Sequence, residues 1–166
     1  MGQFDSSLEI IVILHNIRSI HNVGSIFRTA DAAGIKKIYL CGITPGPLDR
    51  FGNILPQFVK VSLGAEKTVA YECVKSSGVL IKKLKKDGYN IFAVEQSKRS
   101  VPYYSVKYQV SGIKKIVLIF GNEVKGLPPP ILKASDKILE IPMAGNKESL
   151  NVSVAFGIAA YGFLYN

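Results

Sequence analysis

Two runs in this chain, Ile10-Ile11-Val12-Ile13-Leu14 and Ile116-Val117-Leu118-Ile119-Phe120, are apolar at every position and rich in β-branched residues. A strand with one wet face alternates apolar and polar side chains. An unbroken run marks a strand covered on both faces, as in parallel sheets. The first run predicts a buried strand over residues 8–14 and the second a strand over 116–120. Helical patterns separate such runs along the rest of the chain. Val23, Ile26, Phe27 and Ala30 form an apolar stripe on a helix opened by Asn22 as its N-cap and ended by Gly34. Ile81 and Leu84 point inward on a second helix over 74–87, with Lys82, Lys83, Lys85 and Lys86 outward and Gly88 closing it.

Short strands over 38–41, 89–94 and 137–141 and a closing helix over 150–165 complete the pattern. The segment that follows residue 41, Gly42-Ile43-Thr44-Pro45-Gly46-Pro47, predicts irregular chain to about residue 59. Strands alternating with helices imply an α/β fold: a largely parallel sheet with helices on both faces. The closing helix carries Ala155, Gly157, Ala159, Ala160 and Gly162. These permit close approach of another helix from this chain or a partner subunit, and core packing alone also explains them.

The length of 166 residues suits one domain, 1–166. The start lacks the layout of a signal peptide, and the apolar C-terminal segment is too short to span a bilayer. Cys41 and Cys73 have neither metal-ligand spacing nor a disulfide framework. A cytoplasmic protein is the simplest reading. The net charge of +9, from 21 Lys+Arg against 12 Asp+Glu, favours nucleic acid over a membrane as partner, with solubility as the plain alternative.

Three strand ends deliver polar loops to one rim of the sheet, where open α/β proteins bind ligands. They are Asn22 to Asp31, Gly121-Asn122-Glu123-Val124-Lys125-Gly126, and Ile141-Pro142-Met143 running on to Ser149-Leu150-Asn151-Val152-Ser153. No dinucleotide fingerprint, phosphate loop or serine nucleophile elbow is present, and His15 and His21 lack partners at metal-binding spacing, so no metal is expected. Loops rich in backbone N–H and C=O groups suit an adenosine moiety.

Each residue also has a simpler reading. Gly121 and Gly126 serve a turn, Glu123 favours a first helical turn, and Ser149 and Asn151 cap the last helix. Arg28 is either a solvated helix residue or, with Gly24 clearing space beside it, an oxyanion clamp. The lysine run 82–86 is either a solvated face or an RNA contact.

Together the three loops resemble the motifs of the SpoU–TrmH branch of the SPOUT RNA methyltransferases. The match runs from the first helix to the last and, relative to many members of that family, implies a single domain with no added RNA-binding domain. The resemblance implies transfer of a methyl group from S-adenosylmethionine to a ribose 2′-hydroxyl, with tRNA ahead of rRNA as substrate. It implies Arg28, Asn22, Glu123, Ser149 and Asn151 as catalytic residues, and Val94, Gly121, Ile141, Ser149 and Leu150 around the cofactor. It also implies a C-terminal deep trefoil knot and a homodimer with the site near the subunit interface. A non-catalytic RNA-binding protein on the same fold, or a SPOUT enzyme methylating a base, are the alternatives. The Asn22/Arg28 pattern favours ribose.

Overall fold

Alternate residues of the first strand, β1 (Glu9–His15), serve two separate cores. Ile10, Val12 and Leu14 pack with Val23, Ile26, Phe27, Phe58 and Phe156, whereas Ile11 and Ile13 pack with Leu80, Ile81, Leu84 and Ile131. That division is the direct consequence of a period of two in a strand with both faces covered. The computed structural model describes residues 7–106 and 112–165.

Around β1 lie β2 (Lys37–Cys41), β3 (Ala70–Val74), β4 (Asn90–Val94), β5 (Val101–Pro102), β6 (Lys115–Phe120) and β7 (Lys137–Glu140). They form a seven-stranded sheet in the order β3-β2-β1-β6-β4-β7-β5. Every neighbouring pair is parallel, with Ile13 opposite Ile119 at the centre. Helices α1 (Ile20–Ala32), α2 (Pro56–Ser62) and α5 (Val152–Leu164) supply the first core, and α3 (Ser77–Lys86) and α4 (Pro129–Ala134) the second. The largely parallel sheet with helices on both faces is as the sequence predicts.

Local details depart from the sequence reading. The N-cap of α1 is Ser19, whose Oγ accepts from the Asn22 backbone N–H at 3.2 Å, so Asn22 lies inside the first turn. Val74 belongs to β3, and α3 begins only after Ser76, its N-cap. Residues 42–59 are not wholly irregular: a small antiparallel bridge joins Leu48 to Ile54, and α2 starts at Pro56. The small residues of α5 have uses within the chain. Ala159 and Ala160 are fully buried, and a Cβ on Gly162 would lie 2.5 Å from the Tyr103 ring.

Candidate active site

Parallel strands all present their C-terminal ends at one rim. At that rim Phe120 of β6 leads into Gly121, and the loop turns back on itself at once. A Cβ on Gly121 would lie 2.5 Å from the Gly126 carbonyl carbon and 2.6 Å from Leu127 N. Glycine is therefore required here by the loop's own backbone. Asn122 builds the turn: its Oδ1 accepts from Val124 N at 3.0 Å and Lys125 N at 2.9 Å, while its Nδ2 donates to the Asn16 carbonyl at 2.8 Å. Gly126 then takes φ +64°, a backbone state favoured by glycine. Residues 121–126 contain no helix, so Glu123 does not stand in a first helical turn.

Glu123 instead points across to the start of α1. Its carboxylate accepts from Arg18 N at 3.0 Å, Ser19 N at 3.1 Å and Asn22 Nδ2 at 3.1 Å. Partial burial pushes the carboxyl pKa up, but these donors outweigh it and hold the group below its ordinary value. Asn22 Oδ1 in turn accepts from Asn151 Nδ2 at 3.1 Å. Asn151 caps α5, its Oδ1 accepting from Ser153 N at 2.9 Å and Ser153 Oγ at 2.7 Å. Capping and site-building are thus both performed by Asn151. One relay, Glu123–Asn22–Asn151, ties the start of α1 to two later segments that stand 101 and 129 residues from it in sequence.

These loops wall a cavity of about 550 Å³. Val94, Gly121, Ile141, Ser149 and Leu150 line it, as do Asn22, Glu123 and Asn151. Phe120, Leu139 and Met143 add apolar wall. Sequence reasoning missed Glu95 and Asn122 as structural parts of this wall. Glu95 accepts from Gln96 N and Leu127 N, each at 2.9 Å, and so fastens the β4 end to the 121–126 loop. The lining includes Glu95, Glu123 and Glu140 and, among the described residues, no lysine, arginine or histidine. An acidic cavity in a chain of net charge +9 selects a cationic or neutral ligand over a phosphate. Among the described residues no group of His, Cys, Asp and Glu is placed to hold a metal ion.

Arg28 stands apart from this arrangement. It is exposed on α1 and does not line the cavity. The space attributed to Gly24 is absent: a Cβ there would lie 3.1 Å from the Phe58 carbonyl oxygen and 3.2 Å from Val61 Cβ. Gly24 serves the contact between α1 and α2, not Arg28. The lysine run on α3 is exposed, with Lys85 Nζ 2.7 Å from Asp136 Oδ1. No helix among the described residues is long and apolar enough to cross a membrane.

Known proteins share this fold and much of this sequence. The profile of the SpoU rRNA Methylase family matches residues 9–161. A tRNA (guanosine(18)-2'-O)-methyltransferase of Aquifex aeolicus is 35% identical over 153 residues, covering 92% of this chain and 67% of that one. An AdoMet-bound rRNA methyltransferase from Sinorhizobium meliloti superposes with a TM-score of 0.82 at 30% identity, covering 98% of this chain and 57% of that one. A solved structure concerned with 2-OH methylation of C/U34 on tRNA superposes with a TM-score of 0.75 at 28% identity, covering 95% of both chains. Against the first curated relatives the chain spans 55–67% of their length.

Proposed function

Because this chain belongs to the SpoU rRNA Methylase family, we propose that it is an S-adenosylmethionine-dependent RNA 2′-O-ribose methyltransferase acting on tRNA. The observation that carries this reading is the acidic cavity walled by the three strand-end loops. Its volume lies within the range of small-molecule sites, and its apolar wall and backbone N–H and C=O groups fit an adenosyl group. Its lining, with three acidic residues and no basic one among the described residues, fits a sulfonium cation. S-adenosylmethionine supplies an electrophilic methyl group on that sulfonium. Val94, Gly121, Ile141, Ser149 and Leu150 hold it, several of them through backbone atoms.

The chain's own task is orientation, which supplies up to about 7–11 kcal/mol in well-aligned reactions. The Glu123–Asn22–Asn151 relay fixes the rim where the ribose enters, and Ser149 stands on the same wall. Arginine, with a pKa above about 12, is a poor base. Arg28 therefore serves by binding a neighbouring RNA phosphate and, because it lies outside its own subunit's cavity, stabilises the developing alkoxide in the partner subunit's site of the proposed homodimer.

The trefoil knot, the homodimer and a cytoplasmic location belong to the same proposal. For the knot, the support is that segment 141–151 shares a cavity wall with loop 121–126 before α5 returns to α1. For the dimer, it is the exposure of Val154, Tyr161 and Tyr165 on and just beyond α5. The test is incubation with labelled S-adenosylmethionine and total tRNA and rRNA, followed by mapping of the labelled nucleotide. Label on a tRNA ribose is expected; label on a base, or none on any RNA, defeats the proposal.

A further inference from the structure

The loop between β2 and α2 holds Phe51, whose 74% exposure is the greatest of any aromatic side chain among the described residues. It sits on a tight hairpin. Asp49 N donates to Asn53 O at 2.9 Å, Gly52 N to Asp49 O at 3.1 Å, and Leu55 N to Pro47 O at 2.9 Å. The Asp49 carboxylate accepts from Phe51 N at 2.8 Å and from Asn53 N at 2.9 Å. These bonds, the Asn53 backbone first, hold its carboxyl pKa below the usual range, so the carboxylate is ionised and fixed against the backbone of the turn. The cation of the hairpin is Arg50, whose guanidinium lies 4.6 Å from the centroid of the Phe51 ring. Ile43 and Ile54, 67% and 61% exposed, flank the tip.

The chain that leads into this hairpin is joined to the cavity rim. Ile43 N donates to Asn16 Oδ1 at 3.1 Å, and the Asn16 carbonyl accepts from Asn122 Nδ2 at 2.8 Å. The hairpin leaves the sheet two strands from the end of β6, a separation of about 10 Å at the usual strand spacing. Arg18 and His21, which follow β1, the strand between β2 and β6, are exposed.

We propose that residues 47–55 form the RNA-gripping element beside the site, with Phe51 stacking on an unpaired nucleobase while Arg50 contributes positive charge. This inference rests on the RNA methyltransferase reading. A rigid aromatic ring with a cation over it matches the chemistry of single-stranded nucleic acid, which offers flat bases on an anionic strand. Duplex RNA keeps its bases stacked and offers Phe51 no partner.

The test uses the full chain and two fluorescent probes, a short single-stranded oligouridylate and an RNA duplex of equal length. Phe51→Ala should weaken the single strand by about 5- to 150-fold, the range for loss of one stacked base. Phe51→Trp should restore it, and duplex affinity should stay unchanged in both variants. Arg50→Gln should reduce the dependence of single-strand binding on salt. With total tRNA as substrate, Phe51→Ala should raise KM and leave affinity for S-adenosylmethionine unaltered. Unchanged oligouridylate affinity and KM in Phe51→Ala would overturn the inference, as would equal losses on both probes. A lower mass by light scattering in that variant would make the hairpin a subunit contact, and so would also overturn it. A wild-type protein that grips the oligonucleotide through Phe51 yet methylates no RNA upholds the hairpin assignment and sinks the enzymatic reading.

Discussion

Replacing Glu123 with glutamine tests whether one carboxylate organises the rim. Its Oε2 accepts from Arg18 N, and its Oε1 accepts from Ser19 N and Asn22 Nδ2. Glutamine preserves the shape but presents NH₂ in place of one oxygen. In its better orientation it keeps the Ser19 and Asn22 contacts and sets its own N–H groups against Arg18 N. A hydrogen bond to a charged group contributes about 1.5–3 kcal/mol. Glu123 is exposed, so solvent screening reduces the loss to about 1 kcal/mol. For a chain of this size that lowers the melting temperature by about 2–4 °C.

The pH dependence has a definite sign. The folded carboxyl titrates below its ordinary value of 4.5, so its contribution is complete above that value and lost as pH falls through the folded one. The gap between wild type and Glu123→Gln should thus be constant near neutral pH and close in acid. Methyl transfer should fall about tenfold or more, because displacement of catalytic groups by small distances is costly; affinity for S-adenosylmethionine should change less. Equal melting temperatures at neutral pH together with unchanged turnover would refute the organising role.

Gly121→Ala should lose about 1–3 kcal/mol of stability, the cost of overpacking, and weaken S-adenosylmethionine by at least about tenfold in calorimetry; unchanged affinity removes that loop from the cofactor site. Arg28→Ala should hold its stability within about 0.5 kcal/mol, as exposed positions do, and keep cofactor affinity while methyl transfer collapses. Full turnover in Arg28→Ala ends its catalytic assignment, and full turnover in Arg28→Lys shows that a simple positive charge suffices. Light scattering should report twice the 18.1 kDa chain mass; an active monomer contradicts a shared site. Burial lowers the His15 pKa from 6.5, so its stabilising neutral form is lost as pH falls through the folded value. His15→Asn should flatten that acid side of the melting profile, and an unaltered profile would show that His15 does not shape it.

The sequence was most legible where burial is most complete. β1 and β6 are covered on both faces and announce themselves as continuous apolar runs. β3 is an edge strand, and its Ala70-Tyr71-Glu72-Cys73-Val74 is exposed or half-buried throughout, so no apolar run marks it. α2 has only seven residues and opens on Pro56, and a proline beside a Gly/Pro-rich stretch gives the same signal as a loop. Ser19 and Asn22 are equally good N-cap residue types. Ser19 takes the position because its Oγ meets the backbone N–H of Asn22, a choice that composition does not specify. The Glu123–Asn22–Asn151 relay was legible only as three motifs. Spacing arguments act within one element, whereas these contacts cross from one strand end to another.

The average charge of the chain concealed how that charge is divided. A net charge of +9 points to a polyanion, yet the described lining of the cavity includes three glutamates and no basic residue. A sulfonium ligand and an RNA strand make opposite electrostatic demands, and one uniformly basic pocket would serve only the second. Dividing the charge meets both demands, with carboxylates on the cavity wall and Arg18, Arg28 and Arg50 exposed outside it. Arg28 follows from the same division. It lies six residues beyond Asn22, a rise of about 9 Å along the helix, which carries its backbone away from the relay. An arginine inside the acidic cavity would pair with Glu95, Glu123 or Glu140 and be lost to phosphate. Held outside, on the helix that packs against α5, it remains available for RNA phosphate arriving at the proposed subunit interface.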